Sequence, residues 1–234
     1  MCETKSKYNP LFQSSFLMKK VNGPLSGKKV VVTAGPTREH FDPVRFISNP
    51  SSGKMGFAMA EAARNLGGDV TLLHGPVSLR PPHNISTRQF ESAADLFELI
   101  QNLADADVII MAAAVSDFTP AQKNDHKVKK DQASTDLTLK KTQDILAWLG
   151  ERKKNGQILI GFAMETDNLI KNARKKLGKK NIDWIVANSL NQADSGFESD
   201  TNTVHLLSSD RNKKISGSKK EVARQLLHHI FGSK

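Results

Sequence analysis

One cysteine, Cys2, occurs in 234 residues, so no internal disulfide can form and a cytoplasmic location is expected. A covalent cysteine nucleophile is excluded unless Cys2 folds into a site. No Cys-x-x-Cys pair exists. The seven histidines, His40, His74, His83, His126, His205, His228 and His229, never fall in His-x-x-x-His or His-Glu-x-x-His spacing, so a dedicated zinc site is not expected. The longest apolar run, Val108–Val115, is eight residues, far short of a membrane span. The N-terminal stretch has scattered lysines and no apolar secretory core, so no signal peptide is expected. No Gly-x-Ser-x-Gly elbow is present. No Gly-x-Gly-x-x-Gly follows the first strand, where the turn reads Gly35-Pro36-Thr37, which argues against a nicotinamide dinucleotide fingerprint. Aromatic residues are 6% of the chain and do not interleave with its lysines, which weakens a nucleic-acid reading.

Basic residues, in contrast, are plentiful. Thirty-four Lys and Arg outweigh 24 Asp and Glu, for a net charge of +10. Such an excess suits an anionic partner: nucleic acid, acidic lipid or a phosphorylated small molecule. The charge is clustered. One group is Lys123, Lys127, Lys129 and Lys130; the other is Lys171, Arg174, Lys175, Lys176, Lys179 and Lys180. Either is also what a solvated face looks like. Hydrophobic residues at 38% and charged residues at 25% are ordinary for a globular chain, and the length suits one large α/β domain or two small ones.

Residues 1–24 show no periodicity and read as a flexible tail or linker, with a single domain over 25–234. Strands are expected at 29–34, 69–74, 107–113, 157–163, 183–187 and 203–207, with a two-strand or edge segment near 136–140. Helices are expected from Ser51 or Ser52 (as cap) to about Leu66, over 91–103, 143–152 and 167–177, and over 218–231. Residues 38–50 read as irregular. Ala94, Phe97, Leu99 and Leu103 would line one face of the second helix; Leu169, Ile170, Ala173 and Leu177 would form the stripe of the fourth. Strands apolar on both faces and alternating with helices predict a Rossmann-like, doubly wound, mainly parallel sheet in three layers, α/β/α. Ligands then sit beyond the carboxyl ends of the strands, at 35–52, 75–76, 114–130, 165–166 and Asn188.

The stretch Arg45–Gly56, RFISNPSSGKMG, looks like a phosphate loop but breaks the P-loop pattern, with Met55 where Ser or Thr should stand. Gly53, Gly56, Ala60 and Ala63 share one small face of the helix it opens. The first-turn amides of that helix favour an anion; a plain, closely packed helix is the bland alternative. Asp117 could accept from a ribose or base amine, or merely cap a turn. Lys127, Lys129 and Lys130 lie in a long polar loop of the kind that closes over sites. Lys176 and Lys180 share a helix face if the helix survives Gly178. Their repulsion costs roughly 0.2–0.5 kcal/mol, which a bound polyphosphate would offset.

Taken in order, GPTREHFDPVRFISNPSSGKMG, AAAVSDF, KVKK and GFAMET resemble the phosphopantothenoylcysteine synthetases over about residues 25–232. The resemblance implies a ligase of coenzyme A synthesis that uses CTP and Mg2+ to activate 4′-phosphopantothenate as an acyl-cytidylate, then adds L-cysteine. It implies that Asn49 holds the acyl-cytidylate, Arg45 engages phosphopantothenate, and Ala114 contacts the pantothenoyl arm. Lys127 would be the lysine needed for nucleotide activation. Met111, Ala112, Ala113 and Asp117 would line the cytidine site, with Phe162 near the base. Lys176 and Lys180 would bind phosphate, Ser52 and Gly53 would form the phosphate loop, and Lys54 would be helix surface. Where relatives often have Asn-Pro-Asp-Ile, this chain has Thr142-Gln143-Asp144-Ile145, so the nucleotide contacts assigned to Gln143, Asp144, Ile145 and Leu146 depart from the family pattern. Bacterial relatives usually carry a flavin-dependent decarboxylase domain ahead of this one. Twenty-four residues cannot supply it, so no FMN is expected, whether the chain stands alone or is cut from a longer one. A homodimer is also implied. The rival readings are a basic nucleic-acid-binding module and an NAD(P)-dependent oxidoreductase.

Overall fold

The computed structural model describes residues 22–129, 136–165, 168–189 and 200–232. Most of the expected tail, and Lys130 and Thr166 of the KVKK and GFAMET motifs, lie outside these residues.

The chain opens with β1 (Lys29–Ala34), whose valines are buried on both faces. Two three-residue strands follow, β2 (Arg38–His40) and β3 (Phe46–Ser48), paired antiparallel. After them come α1 (Lys54–Asn65), β4 (Asp69–His74), β5 (Ser86–Gln89), α2 (Ala93–Gln101) and β6 (Val108–Met111). A second short antiparallel pair, β7 (Phe118–Pro120) and β8 (Leu139–Lys141), precedes α3 (Ile145–Glu151). The chain continues through β9 (Ile158–Glu165), α4 (Leu169–Lys179), β10 (Trp184–Ser189), β11 (Thr201–Leu207), β12 (Asn212–Ser218) and α5 (Lys219–Phe231).

The central sheet has eight strands in the order β12-β11-β10-β9-β6-β1-β4-β5. The six from β10 to β5 run parallel, and β11 and β12 return antiparallel. One face packs its alternate residues, Val32, Ile110, Ile160, Val186 and Val204 among them, under α1 and α5. The other face carries Val31, Ile109, Leu159 and Ile185 under α2, α3 and α4. The expected three-layer, mainly parallel Rossmann-like α/β fold is therefore observed. From β1 the chain builds outward to β4 and β5, then crosses back to β6 on the other side. That reversal sends the connections of β1 and β6 to opposite faces of the sheet, which places a binding crevice beyond their carboxyl ends.

Several local expectations change. Residues 38–50 hold the β2–β3 hairpin, too short to show a period. The strands β5 and β12 went unread because STRQ and NKKISGS are polar edge sequences. In α2 the buried residues are Ala93, Leu96 and Ile100, and Ala94 is exposed, because the helix starts later, at a capping box between Ser92 and Asp95. In α4 Ile170 faces solvent while Leu169, Ala173 and Leu177 turn inward. That helix does survive Gly178.

The correction with most consequence concerns α1. Neither Ser51 nor Ser52 is its cap; the cap position is Gly53, at φ +77°, and no side chain caps the helix. An L side chain resists that backbone conformation, so the glycine sets where the helix begins. One turn on, a β-carbon at Gly56 would stand 2.4 Å from Ala34 Cβ and 2.8 Å from Thr33 O. The helix start thus lies directly on the end of β1. Gly56→Ala should push it off and destabilise the fold by about 1–3 kcal/mol, read from chemical denaturation. An unchanged midpoint would show that the contact is slack.

Candidate functional site

The crevice edge is braced by hydroxyls on and just beyond β1. Thr33 Oγ1 accepts from the Ala113 amide at 3.0 Å, and Thr37 Oγ1 accepts from the Ser116 amide at 3.0 Å. Both threonines are buried. Ser48 Oγ donates to Thr37 O at 2.7 Å, which holds the chain entering Asn49. Asn49 Nδ2 then donates to Ala114 O at 3.2 Å. Two strand ends and one hairpin thereby fix a single amide at the crevice mouth.

Beside it opens a cavity of about 820 Å³ along the carboxyl edge of the sheet. Its first wall is Asn49, Ser52, Gly53 and the start of α1; its floor is Met111, Ala112, Ala113 and Ala114, with Asp117 beyond. The opposite wall is Gln143, Asp144, Ile145 and Leu146 at the start of α3, then Phe162, Lys176 and Lys180. Asp144 does two jobs there. Its Oδ1 accepts from the Ala147 amide at 3.0 Å, capping α3, and from Lys180 Nζ at 3.0 Å. Thr142 Oγ1 donates to Ser116 O at 2.6 Å and ties that wall to the floor. Thus fifteen of the seventeen expected site residues line one cavity, including those at the departing Thr-Gln-Asp-Ile segment.

Arg45 and Lys127 are not among the lining residues. Arg45 is held by Asp42 through Nε at 2.9 Å and through Nη2, which also donates to Val128 O at 3.0 Å. The Asp42 carboxylate is fully buried and further accepts from the amides of Val44, Arg45 and Val128. Asn124 N donates to Phe41 O at 2.9 Å, so the segment bearing Lys127 is stitched onto the turn bearing Arg45.

The cavity is also lined by residues to which no role was assigned, among them Lys54, Lys141, Met164, Asn202 and Lys219. Lys54 pairs with Asp200 at 2.7 Å, so it is part of a charged corner and not plain helix surface. Asn188, expected as a position past the apolar run of β10, lines the cavity as well. Asn202 and Lys219 arrive by the antiparallel return of β11 and β12, which no local pattern announces. Among the described residues no cluster of three His, Cys, Asp or Glu side chains could hold a metal, and no helix is long and apolar enough to cross a membrane. A second cavity, of about 600 Å³, lies at the ends of β4 and β5 beside Arg38 and Glu91; it takes in Gly75 and Pro76, expected as a strand-end position, but none of the residues given a role by the resemblance.

Residues 25–233 match the family described as the DNA/pantothenate metabolism flavoprotein C-terminal domain. The chain belongs to that family. It is 49% identical over 213 residues to the coenzyme A biosynthesis bifunctional protein CoaBC of Bacillus subtilis (strain 168), covering 89% of this chain and 52% of the relative. The chain spans about half the length of the curated CoaBC relatives it matches. The crystal structure of the C-terminal domain of a CoaBC protein aligns with a TM-score of 0.73 at 43% identity, over 89% of this chain and 96% of that one. The DNA/pantothenate metabolism flavoprotein from Streptococcus pneumoniae aligns with a TM-score of 0.76 at 30% identity, over 87% of this chain and 98% of that one.

Arg45 holds the Asp42 carboxyl well below the usual carboxylate range, with the three amides adding to it and burial opposing. A lowered folded value stabilises the structure above the unfolded value of about 3.9 and is lost as pH falls through the folded one. Hydrogen exchange at the Val128 amide should therefore stay slow and level from about pH 5 to 8 once the intrinsic rate is removed, and Asp42→Asn should speed it throughout that range. Protection equal to wild type in the variant would dismiss Asp42 as the anchor of the Lys127 segment.

Proposed function

We propose that this chain is a phosphopantothenate–cysteine ligase that joins 4′-phosphopantothenate to L-cysteine at the expense of CTP. The observation that carries the reading is the meeting, in one cavity, of Asn49 fixed by Ala114, the start of α1 at Gly53, and Lys176 and Lys180. Membership of a family whose relatives are named for coenzyme A biosynthesis supports it.

The chemistry follows in two balanced steps. The pantothenate carboxylate attacks the α-phosphorus of CTP, an acyl–phosphate bond forms, the α–β bridge breaks and pyrophosphate leaves. The cysteine amine then attacks the acyl carbon, a C–N bond forms, the bond to CMP breaks and the spare amine proton passes to CMP or water. The first step brings anion to anion, so cations and fixed N–H donors must crowd the phosphates. Lys176, Lys180 and the first amides of α1 supply them in this reading. Spending one Asn49 N–H on Ala114 orients the amide, leaving its second N–H to meet the oxygen that gains charge as the acyl carbon becomes tetrahedral. The small residues Ala112 and Ala113 and the ring of Phe162 suit the flat base. Arg45 and Lys127 enter on the resemblance, as the phosphopantothenate and activation residues. Mg2+ accompanying a triphosphate needs only one or two protein carboxylates, and Asp117 at the cavity floor fits that demand, whereas Asp144 is engaged by α3 and Lys180. The ion would screen the phosphate charges. We also infer a homodimer, supported by exposed Val44, Phe46, Phe118 and Leu139 on the two short hairpins; a monomeric mass in sedimentation would remove that part.

Pyrophosphate release should require Mg2+, CTP and 4′-phosphopantothenate, rise on adding cysteine, and be weak with ATP. Asn49→Ala should release one equivalent and then stall, accumulating acyl-cytidylate. Lys176→Ala should raise the KM for CTP about tenfold, the worth of one charge-assisted contact. No release with either nucleotide retires the ligase reading, and full turnover in both variants retires the residue roles.

A further inference from the structure

Asp42 is a buried carboxylate with no part in the chemistry above. It lies in the turn between β2 and β3, and its two oxygens divide their work. Oδ1 accepts from the amides of Val44 at 2.9 Å and Arg45 at 2.8 Å, which shapes the turn itself. Oδ2 accepts from Arg45 Nε at 2.9 Å, from Arg45 Nη2, and from the Val128 amide at 3.2 Å, 86 residues further along the chain. Arg45 Nη2 also donates to Val128 O at 3.0 Å. The peptides on either side of Val128 are therefore both held, one by the carboxylate and one by the arginine that the same carboxylate holds. The main-chain and side-chain N–H groups of Asn124 both reach Phe41 O, at 2.9 and 3.3 Å, and the Arg45 guanidinium lies over the Phe41 ring at 4.8 Å.

Residues 122–127 are exposed and take neither helix nor strand form, so water can replace a neutral partner of this loop at little cost. A buried charge is different. Every donor that leaves a carboxylate out of water uncovers buried charge, so the donors of Asp42 stay or leave as a set. Arg45 keeps one edge for other use. Its side chain is 43% exposed. Of its five N–H groups, the one on Nε and the two on Nη2 are spent, while Nη1 bonds no described residue.

We propose that Asp42 is a positioning residue that makes binding of the acid and binding of the nucleotide interdependent. This rests on the ligase reading, in which Arg45 meets 4′-phosphopantothenate and Lys127 serves the nucleotide. A phosphate on Nη1 restrains Arg45. The shared Oδ2 and the Val128 carbonyl pass that restraint to the peptide joining Lys127 to Val128. The acid thereby bears the cost of ordering the lysine, and CTP meets a segment already fixed. Linkage makes the effect reciprocal, so CTP tightens the acid by the same factor. Lys127 is set beside the nucleotide only when a carboxylate is present to attack it.

Calorimetry with Mg2+ and a CTP analogue whose α–β bridge is a methylene group, so that pyrophosphate cannot leave, tests the coupling. In the wild type, saturating 4′-phosphopantothenate should lower the Kd of the analogue about tenfold. In Asp42→Asn that factor should vanish. Val128→Pro removes the amide that Asp42 holds and leaves the Asp42–Arg45 pair in place. It should abolish the factor too, while the acid alone binds as it does to the wild type. Exchange of the Val128 amide in the wild type should slow about tenfold when the acid is added without nucleotide. A merely structural Asp42 would weaken each ligand alone and leave the factor at its wild-type size. No factor in the wild type, or one undiminished in both variants, overturns the coupling and leaves the ligase reading standing. Unchanged exchange on adding the acid overturns it as well. No heat from either ligand in the wild type overturns the ligase reading, and the coupling with it.

Discussion

A helix that begins on a glycine in the left-handed region starts where that glycine puts it, and its N-terminus turns the positive end of its dipole toward the cavity. In this fold that helix is α1, and the rest of the site is arranged around its start. The contact of Gly56 with Ala34 and Thr33 lets α1 lie close enough to β1 that Ser52, Gly53 and Ala114 border the same space. Any larger residue at Gly56 would separate the helix start from the strand end and take the amides away from Asn49. The threonine hydroxyls at 33 and 37 do the matching work on the other side, holding residues 113–116 against β1 together with the backbone bonds between Ala114 and residues 35 and 37.

Charge follows the same geometry. Five lysines, Lys54, Lys141, Lys176, Lys180 and Lys219, line the cavity with only two carboxylates, Asp117 and Asp144. Part of the excess seen in the sequence therefore lies at the carboxyl edge of the sheet and is not simply a solubilising coat. The second basic cluster divides: Lys176 and Lys180 face the cavity, while Lys175 and Lys179, on the same helix, are exposed and do not line it.

The long buried strands were legible because β-branched runs such as KVVVTA and DVIIM leave few alternatives, and the order of such runs with helices gave the parallel sheet. The cavity floor and the lysine pair could be read for the same reason: sites in such sheets lie just past the strand ends, and those residues follow directly. What escaped was structure set by partners distant in sequence. The hairpin strands β2, β3, β7 and β8 are three residues each and gain their form from one another. Ser51 and Ser52 are good caps by residue type, but the positive φ at Gly53 moved the helix start past them. Asn202 sits in TNTVHLL, where it reads as a polar residue on an alternating strand. Only the return of β11 alongside β10 turns it into the neighbour of Asn188.

The two basic walls belong to different layers. Lys176 and Lys180 come from α4, which covers one face of the sheet, while Lys54 and Lys219 come from α1 and α5, which cover the other. They meet only around the carboxyl edge, at the ends of β6, β9 and β10. One extended anion can cross the edge, or two separate ligands can occupy the two sides and meet above the floor. A ligase that first activates an acid and then admits an amine needs the second arrangement. Its nucleotide must leave the acyl carbon exposed toward a different pocket, from which the amine approaches. Asn188 and Asn202, which line the cavity, belong to the side of that edge covered by α1 and α5.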